Sequence, residues 1–110
     1  MDKKQIGDLL KKLSPQTEVA VMSDIEATMA MKNKLADYYF GSCATGAGGA
    51  LGIATGLLGK DKCITVSMAG RVLSQDEVTA AVKAGKVAFG FVNYDAEKVI
   101  PMILKAISSK

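Results

Sequence analysis

The sequence has no histidine and no tryptophan, and it is poor in cysteine, proline and arginine. Among 110 residues there are 2 cysteines and 2 prolines, and Arg71 is the only arginine. The absence of histidine excludes Ser-His-Asp and Cys-His catalysis. Two cysteines without histidine cannot form a standard zinc site, and without a signal peptide they do not indicate a disulfide scaffold. We therefore expect neither a metal nor a cofactor.

The basic residues are scattered along the chain and give no nucleic-acid-binding patch. Lysine and arginine total 14 against 11 acidic residues, a net charge of +3. Nucleic-acid-binding proteins usually cluster these residues, with arginine prominent at bases and phosphates. Lysines such as Lys3, Lys4 and Lys11 instead indicate a solvated helix face. We expect a cytoplasmic protein that does not bind nucleic acid.

The chain is 49% apolar, which is enough for a hydrophobic core, and its length predicts one domain over residues 1–110. The stretch from Tyr38 to Gly59 is 22 residues long and uncharged, and about 20 apolar residues can span a bilayer. However, it contains seven of the 11 glycines and few large aliphatic residues. It divides into an aromatic strand and a small-residue helix, so we do not expect a membrane span.

Helical and strand patterns alternate along the whole chain. Capping boxes at Ser23 and Ser74 each predict a helix start, and Pro101 is expected to kink the last helix or to mark its true first turn. The predicted helices cover 3–13, 23–36, 48–58, 74–85 and 95–107. The predicted strands cover 18–22, 38–42, 63–68 and 87–92. Apolar strands alternating with helices predict an α/β fold: an open, mainly parallel Rossmann-like sheet with helices on both faces.

The predicted order begins with a helix, whereas a layered α/β unit normally opens with a strand near the sheet centre. Such a first strand is not found in this sequence. Its absence would leave a strand edge and apolar surface open to a partner. We therefore predict a homo-oligomer.

The glycine-rich turn over residues 41–49 is the predicted ligand site. In open α/β sheets, ligands bind beyond the carboxyl ends of the strands, and glycines let the backbone approach an anion closely. A phosphate, a carboxylate or an enediolate oxygen would suit such a turn and the helix start that follows. We expect Gly46, Gly48 and Gly49 to contact ligand, the alternative being close helix–sheet packing. For Gly52 and Gly56, packing is the favoured interpretation.

Four polar residues complete the candidate site. Cys43 precedes a predicted helix start, where a thiol becomes a better nucleophile or base, although cysteine is often a small buried hydrophobe. Thr45 offers a hydroxyl two residues later, and Ser42 belongs to the same turn. Arg71 follows the third strand and would hold an anion with its fork of donors, or would simply be exposed before a helix. Cys63 is predicted to be core.

Three blocks of the sequence resemble the bacterial YhfU family, a domain of unknown function. The similar blocks are 36–51 (ADYYFGSCATGAGGAL), 62–68 (KCITVSM) and 85–91 (GKVAFGF). The resemblance covers nearly the whole chain from about residue 3. Family members usually begin with a strand and a glycine turn ahead of the first helix, a segment that this sequence lacks. The resemblance implies genes that travel with a membrane transport-like protein and with pyridoxal-phosphate and sugar-phosphate enzymes.

A narrower resemblance links the turn to the ribose-5-phosphate isomerase B (LacAB) family, whose turn reads Cys-x-Thr-Gly-x-Gly. Cys43, Thr45, Gly46 and Gly48 match that pattern. The resemblance implies that the cysteine shuttles a proton, that the threonine assists ring opening and that the turn stabilises an enediolate. That family's aspartate on the first strand and its histidines have no counterpart here.

Three functions follow from these observations. The first is binding of a small anionic metabolite, a sugar phosphate or a carboxylate, as the soluble partner of a transport or catabolic system and of its membrane transport-like protein. The second is a sugar-phosphate isomerase-like enzyme that uses Cys43 as its base. The third is a structural or interaction module.

Overall fold

A computed structural model of the chain describes residues 2–43 and 51–110. Its helices are α1 (Lys3–Leu13), α2 (Asp24–Lys32), α3 (Gly52–Leu58), α4 (Gln75–Lys83) and α5 (Ala96–Ser108). Its strands are β1 (Tyr39–Cys43), β2 (Cys63–Thr65), β3 (Ser67–Met68), β4 (Arg71–Val72) and β5 (Ala88–Val92). Short 3₁₀ turns at Lys60–Lys62 and Asn93–Asp95 precede β2 and α5.

The predicted capping boxes begin two of these helices. The Ser23 side chain accepts the backbone N–H of Glu26, and the Ser74 side chain accepts that of Glu77, each at 3.2 Å. In both cases the glutamate carboxylate accepts the backbone N–H of the capping serine in return. Asp2 caps α1 in the same way. These side chains satisfy N–H groups that have no partner within the helix, which fixes where each helix starts.

Three parallel strands form the main sheet, in the order β1-β5-β2. All five residues of β5 are buried, which fits a central strand that is covered on both faces. Gly41 of β1, Gly90 of β5 and Thr65 of β2 lie in one row across the sheet. The α/β prediction of a parallel sheet with helices on both faces is confirmed.

One face of the sheet, here called the large face, is packed with aromatic and branched side chains. Phe89 and Phe91 of β5 lie there, against buried residues of α1, α4 and α5. The ring centroids of Tyr38 and Phe40 lie 6.2 and 5.7 Å from that of Phe89. Because side chains alternate along a strand, residues on either side of each phenylalanine belong to the opposite face.

The opposite face, here called the small face, is covered by α2 and α3. Its buried residues are mostly short: Tyr39, Leu51, Ala54, Cys63 and Ala88. The prediction that Cys63 belongs to the core is therefore confirmed.

Tyr39 is the large exception on the small face, and its hydroxyl has a polar partner. The phenol donates a hydrogen bond of 2.7 Å to Asp24 Oδ1 at the start of α2. Burial, together with that hydrogen bond and the negative charge of Asp24, raises the pKa of Tyr39 above its usual value. The neutral phenol therefore connects α2 to β1.

The predicted strand 18–22 does not form, and that prediction was wrong. This segment has no strand partner in the described part of the chain, where β1 and β2 are the outer strands of the sheet. It instead passes over α1 at Gly7, where an added Cβ would lie 2.6 Å from a methyl carbon of Val21. A strand needs a neighbour for its backbone hydrogen bonds, so apolar β-branched residues alone do not suffice.

The predicted strand 63–68 is divided in two. Val66 still donates its N–H to the carbonyl of Gly90 at 2.7 Å, but its own carbonyl accepts the N–H of Leu73 at 2.9 Å. The chain thus leaves the sheet and forms an antiparallel hairpin from β3 and β4.

Helices α2 and α5 also differ from prediction. Helix α2 ends at Lys32, and a turn follows in which Lys34 has a φ of 60°. Helix α5 continues through Pro101, so this proline does not mark the first turn. In the described part of the chain, no helix has the length and apolar character to cross a membrane.

Candidate functional site

The candidate site begins at the carboxyl end of β1, beside the end of the central strand. Ser42 is in register with Phe91, and Cys43 is in register with Val92. Both Ser42 and Cys43 are half-buried. By strand alternation, Cys43 lies on the small face and Ser42 on the large face. A ligand lying over the small face would therefore be closer to Cys43 than to Ser42.

On the small face, Leu51 packs directly over Gly90 and leaves little space between itself and the strand. A Cβ added to Gly90 would lie 2.7 and 2.9 Å from the Cγ and Cδ1 carbons of Leu51. Leu51 is 4% exposed and immediately precedes α3. The chain therefore leaves the sheet at Cys43 on β1 and is packed against the neighbouring strand again at Leu51. These two residues are the anchors of the predicted ligand turn.

Most of the predicted turn falls outside the described residues. Thr45, Gly46, Gly48 and Gly49 lie between residues 43 and 51, so their predicted roles stay predictions.

The packing role predicted for the two glycines of α3 was wrong. Gly52 and Gly56 are exposed, and among the described residues an added Cβ would meet nothing within 4 Å at either position. Ala54 is the fully buried residue of this helix. The spacing of four does place the glycines on one helix face, but that face is directed to solvent. The close approach to the sheet depends on Gly90 instead.

Arg71 lies in the hairpin that follows the edge strand β2, whereas Cys43 ends the other edge strand, β1. Arg71 belongs to β4, and its guanidinium Nη2 is 4.0 Å from Glu77 Oε2. The two side chains are 67% and 53% exposed, and an ion pair between such side chains is typically weak. The pKa of Glu77 is lowered below its usual value, first by the hydrogen bond from the backbone N–H of Ser74. The Ser74 hydroxyl and the positive charge of Arg71 lower it further.

Arg71 and Glu77 border an open groove of about 540 Å³ beside β2 and α4. Since β5 separates β2 from β1, and neighbouring strands lie about 4.8 Å apart, this groove begins about 10 Å from β1. The structure therefore places Ser42 and Cys43 on opposite faces at the end of β1, and Arg71 beside the groove at β2.

Ser67 is a residue of this sheet end that the sequence did not single out. Ser67 is 3% exposed, and its hydroxyl accepts the backbone N–H of Val92 at 2.9 Å. The carbonyl of Val66 is already taken by Leu73, so the hydroxyl supplies the acceptor that β2 no longer provides. The sequence gives no signal that this serine hydroxyl accepts a backbone N–H from the central strand. Ser67 thereby fixes the end of β5 on the side away from Cys43.

The described residues do not group three or more carboxylates and thiols in a way that could hold a metal ion.

Comparison with known proteins identifies relatives over nearly the full length of the chain. The family model described as "Protein of unknown function DUF2620" matches residues 1–107. The chain is 35% identical over 105 residues to "Uncharacterized protein YhfU" of Escherichia coli K12. The aligned region covers 94% of this chain and 90% of the relative. The same values apply to the YhfU proteins of Escherichia coli O6:H1 and Shigella flexneri. No solved structure matches the chain significantly.

The chain therefore belongs to the DUF2620 family of proteins of unknown function, and the resemblance to YhfU is confirmed.

Proposed function

We propose that this DUF2620 protein binds a small anionic metabolite, a sugar phosphate or a carboxylate, at residues 41–49. The observation that carries the proposal is the position of Ser42 and Cys43 at the carboxyl end of a parallel strand beside the central strand. Ligands of open α/β sheets bind beyond these strand ends. The glycine-rich sequence follows directly, and successive backbone N–H groups in such sequences can form anion-binding concavities.

The anchors of the turn favour a site of limited size. Cys43 on β1 and Leu51 over β5 hold its two ends on neighbouring strands. A compact anion with one phosphate or carboxylate group suits that spacing better than a polymer does. Such a binder would serve a transport or catabolic system, together with the membrane transport-like protein that the family resemblance suggests.

A thermal-shift screen against sugar phosphates and small carboxylates, followed by calorimetric titration of any hit, tests the proposal. We expect a hit to be lost in Gly48→Val, because a side chain would prevent close approach of an anion to the backbone. Gly56→Val in α3 is the matched control, since the space beyond Gly56 is open. Binding that survives Gly48→Val unchanged would contradict the site. The absence of any ligand would favour a structural or interaction module instead.

The position of Cys43 favours a second candidate function, sugar-phosphate isomerisation. The thiolate would take a proton from the carbon next to a carbonyl and return it to the neighbouring carbon through an enediolate. Thr45 would assist ring opening, as the isomerase resemblance implies. Cys43 is half-buried at the strand end, whereas Cys63 is buried at the start of the opposite edge strand.

Replacement of Cys43 by serine separates the two functions. A binder would keep its thermal response to the ligand, whereas an isomerase would lose turnover and keep binding. Alkylation with iodoacetamide at neutral pH is the second measurement, with Cys43→Ser as the control that leaves only Cys63. A Cys43 that reacts no faster than an ordinary peptide thiol would exclude the isomerase mechanism.

A further inference from the structure

The exposed large apolar side chains are concentrated in one part of the chain. Among the described residues, ten large hydrophobic side chains are exposed, and six of them lie between residues 13 and 35. These six are Leu13, Val21, Met22, Ile25, Met29 and Leu35. Single exposed apolar residues are ordinary, whereas exposed apolar residues that share one face of the molecule indicate an interaction surface.

Helix α2 is apolar on two opposite sides. Its inner side carries Thr28, Ala27 and Met31, which pack toward the small face or are fully buried. Its outer side carries Ile25 and Met29, which are 61% and 40% exposed. Ile25 and Met29 lie one turn apart on the same side of the helix, and together with Met22, which is exposed just before the helix, they are here called the outer stripe. A helix that is hydrophobic all round is normally buried on both sides.

The charges of α2 are divided between its ends. Asp24 and Glu26 lie in the first turn, Lys32 lies in the last turn, and Lys34 follows. If two such helices pair antiparallel about a two-fold axis, the acidic start of each lies beside the basic end of the other. In a two-fold interface the same surface of each copy contacts the other, so each acidic-to-basic contact occurs twice. A parallel pairing would place like charges together.

We propose that the outer stripe is the dimerisation surface of this protein, and that its occupant is α2 of a second copy in antiparallel orientation. Ile25 of one copy then packs against Met29 of the other, and Glu26 lies near Lys32 of the other. Stable interfaces bury about 800 Å² per partner, more than two short helices alone provide. Val21 and Leu35, which are 50% and 81% exposed and come before and after α2 in the sequence, are expected to extend the contact.

Light scattering of the full chain over a wide range of concentration tests the proposal. We expect a dimer that dissociates on dilution. Ile25→Glu should raise the dissociation constant about a hundredfold or more, because the substitution occurs twice in a two-fold interface. Leu57→Glu in α3 is the matched control, since Leu57 is 44% exposed and lies outside the stripe. Circular dichroism of each variant establishes that the fold is kept.

A charge exchange tests the orientation of the two helices. Lys32→Glu should weaken the dimer because it places two acidic helix ends together, and Glu26→Lys added to it should restore much of the affinity. Glu26 also accepts the Ser23 N–H, so the melting temperature of the double variant is measured alongside. A monomer at all concentrations would overturn the proposal. A dimer that is unaffected by Ile25→Glu, or that is lost equally in Leu57→Glu, would overturn it as well.

Discussion

The two faces of the sheet carry side chains of different size: large ones that form most of the core, and small ones that allow close approach to the strands. The large face holds Phe89 and Phe91 among branched side chains from three helices. The small face places Ala88 and Gly90 under α3, so that the helix approaches the strand backbone closely. Buried apolar area stabilises the fold on the first face. The small face buries less apolar area. Its small residues let Leu51 pack directly against β5 after the predicted ligand turn.

Truncation on the large face should have the largest effect. We expect Phe89→Ala to destabilise the protein by about 3–5 kcal/mol, because it leaves a cavity at a fully buried aromatic site. Urea unfolding followed by circular dichroism measures the change. Cys63→Ala on the small face is the comparison and should cost about 1 kcal/mol, since it removes one sulfur atom. If both variants lost the same unfolding free energy, the proposed difference between the two faces in stabilising the fold would be contradicted.

Addition of a single methyl group to the small face should have the next largest effect. Gly90→Ala should cost about 1–3 kcal/mol, since its Cβ would overlap the side chain of Leu51. The same substitution in a Leu51→Ala background should cost much less, because the obstructing atoms are absent. Denaturant unfolding of the four proteins forms a double-mutant cycle. Additive costs would show that Leu51 does not restrict Gly90.

Loss of the Tyr39 hydroxyl should have a smaller effect. Tyr39→Phe should cost about 1 kcal/mol, because it removes the hydrogen bond to Asp24. Tyr38→Phe, on the large face, is the matched control and should be nearly neutral. The raised pKa of Tyr39 stabilises the fold below about pH 10, and this contribution is lost as the pH rises through the folded-state value. The difference in stability between wild type and Tyr39→Phe should therefore diminish in strong alkali, as thermal melts across that range would measure.

The smallest effect should be a gain in stability on the solvent side of α3. Gly56→Ala should stabilise the protein by about 0.5–1 kcal/mol, because alanine restricts the unfolded chain and an added Cβ meets nothing. Gly59→Ala is the contrasting variant and should destabilise, since Gly59 has a φ of +98°. Thermal melting compares the two. A loss of stability in Gly56→Ala would restore the packing role that the glycine spacing suggested.

The parts of the fold that local chemistry determines could be predicted from the sequence. The capping serines Ser23 and Ser74 define helix starts through bonds made within four residues. The strands that form the sheet were recognisable from their apolar runs, and Ser42 and Cys43 lie at a carboxyl end, as expected.

The larger failures depend on contacts between distant parts of the chain. Segment 18–22 has the composition of a strand, but a strand requires a neighbour that composition does not reveal. The spacing of Gly52 and Gly56 identifies a helix face without saying whether that face meets the sheet. The division of the predicted strand 63–68 depends on Val66, whose carbonyl accepts the N–H of Leu73 in a hairpin that the apolar run does not reveal. The role predicted for Arg71 stays a prediction.

The contact of Leu51 with Gly90 also has a use in protein engineering. Cys43 on β1 and Leu51 against β5 are the described residues on either side of the seven-residue segment 44–50, and they lie at neighbouring strands. The entropy of closing a loop grows slowly, by about 0.6 kcal/mol for each doubling of its length. Sequences grafted between these anchors, including longer ones, should therefore be accepted without loss of the fold. The protein thus offers a scaffold on which turns selected from a library could be presented for recognition of new ligands.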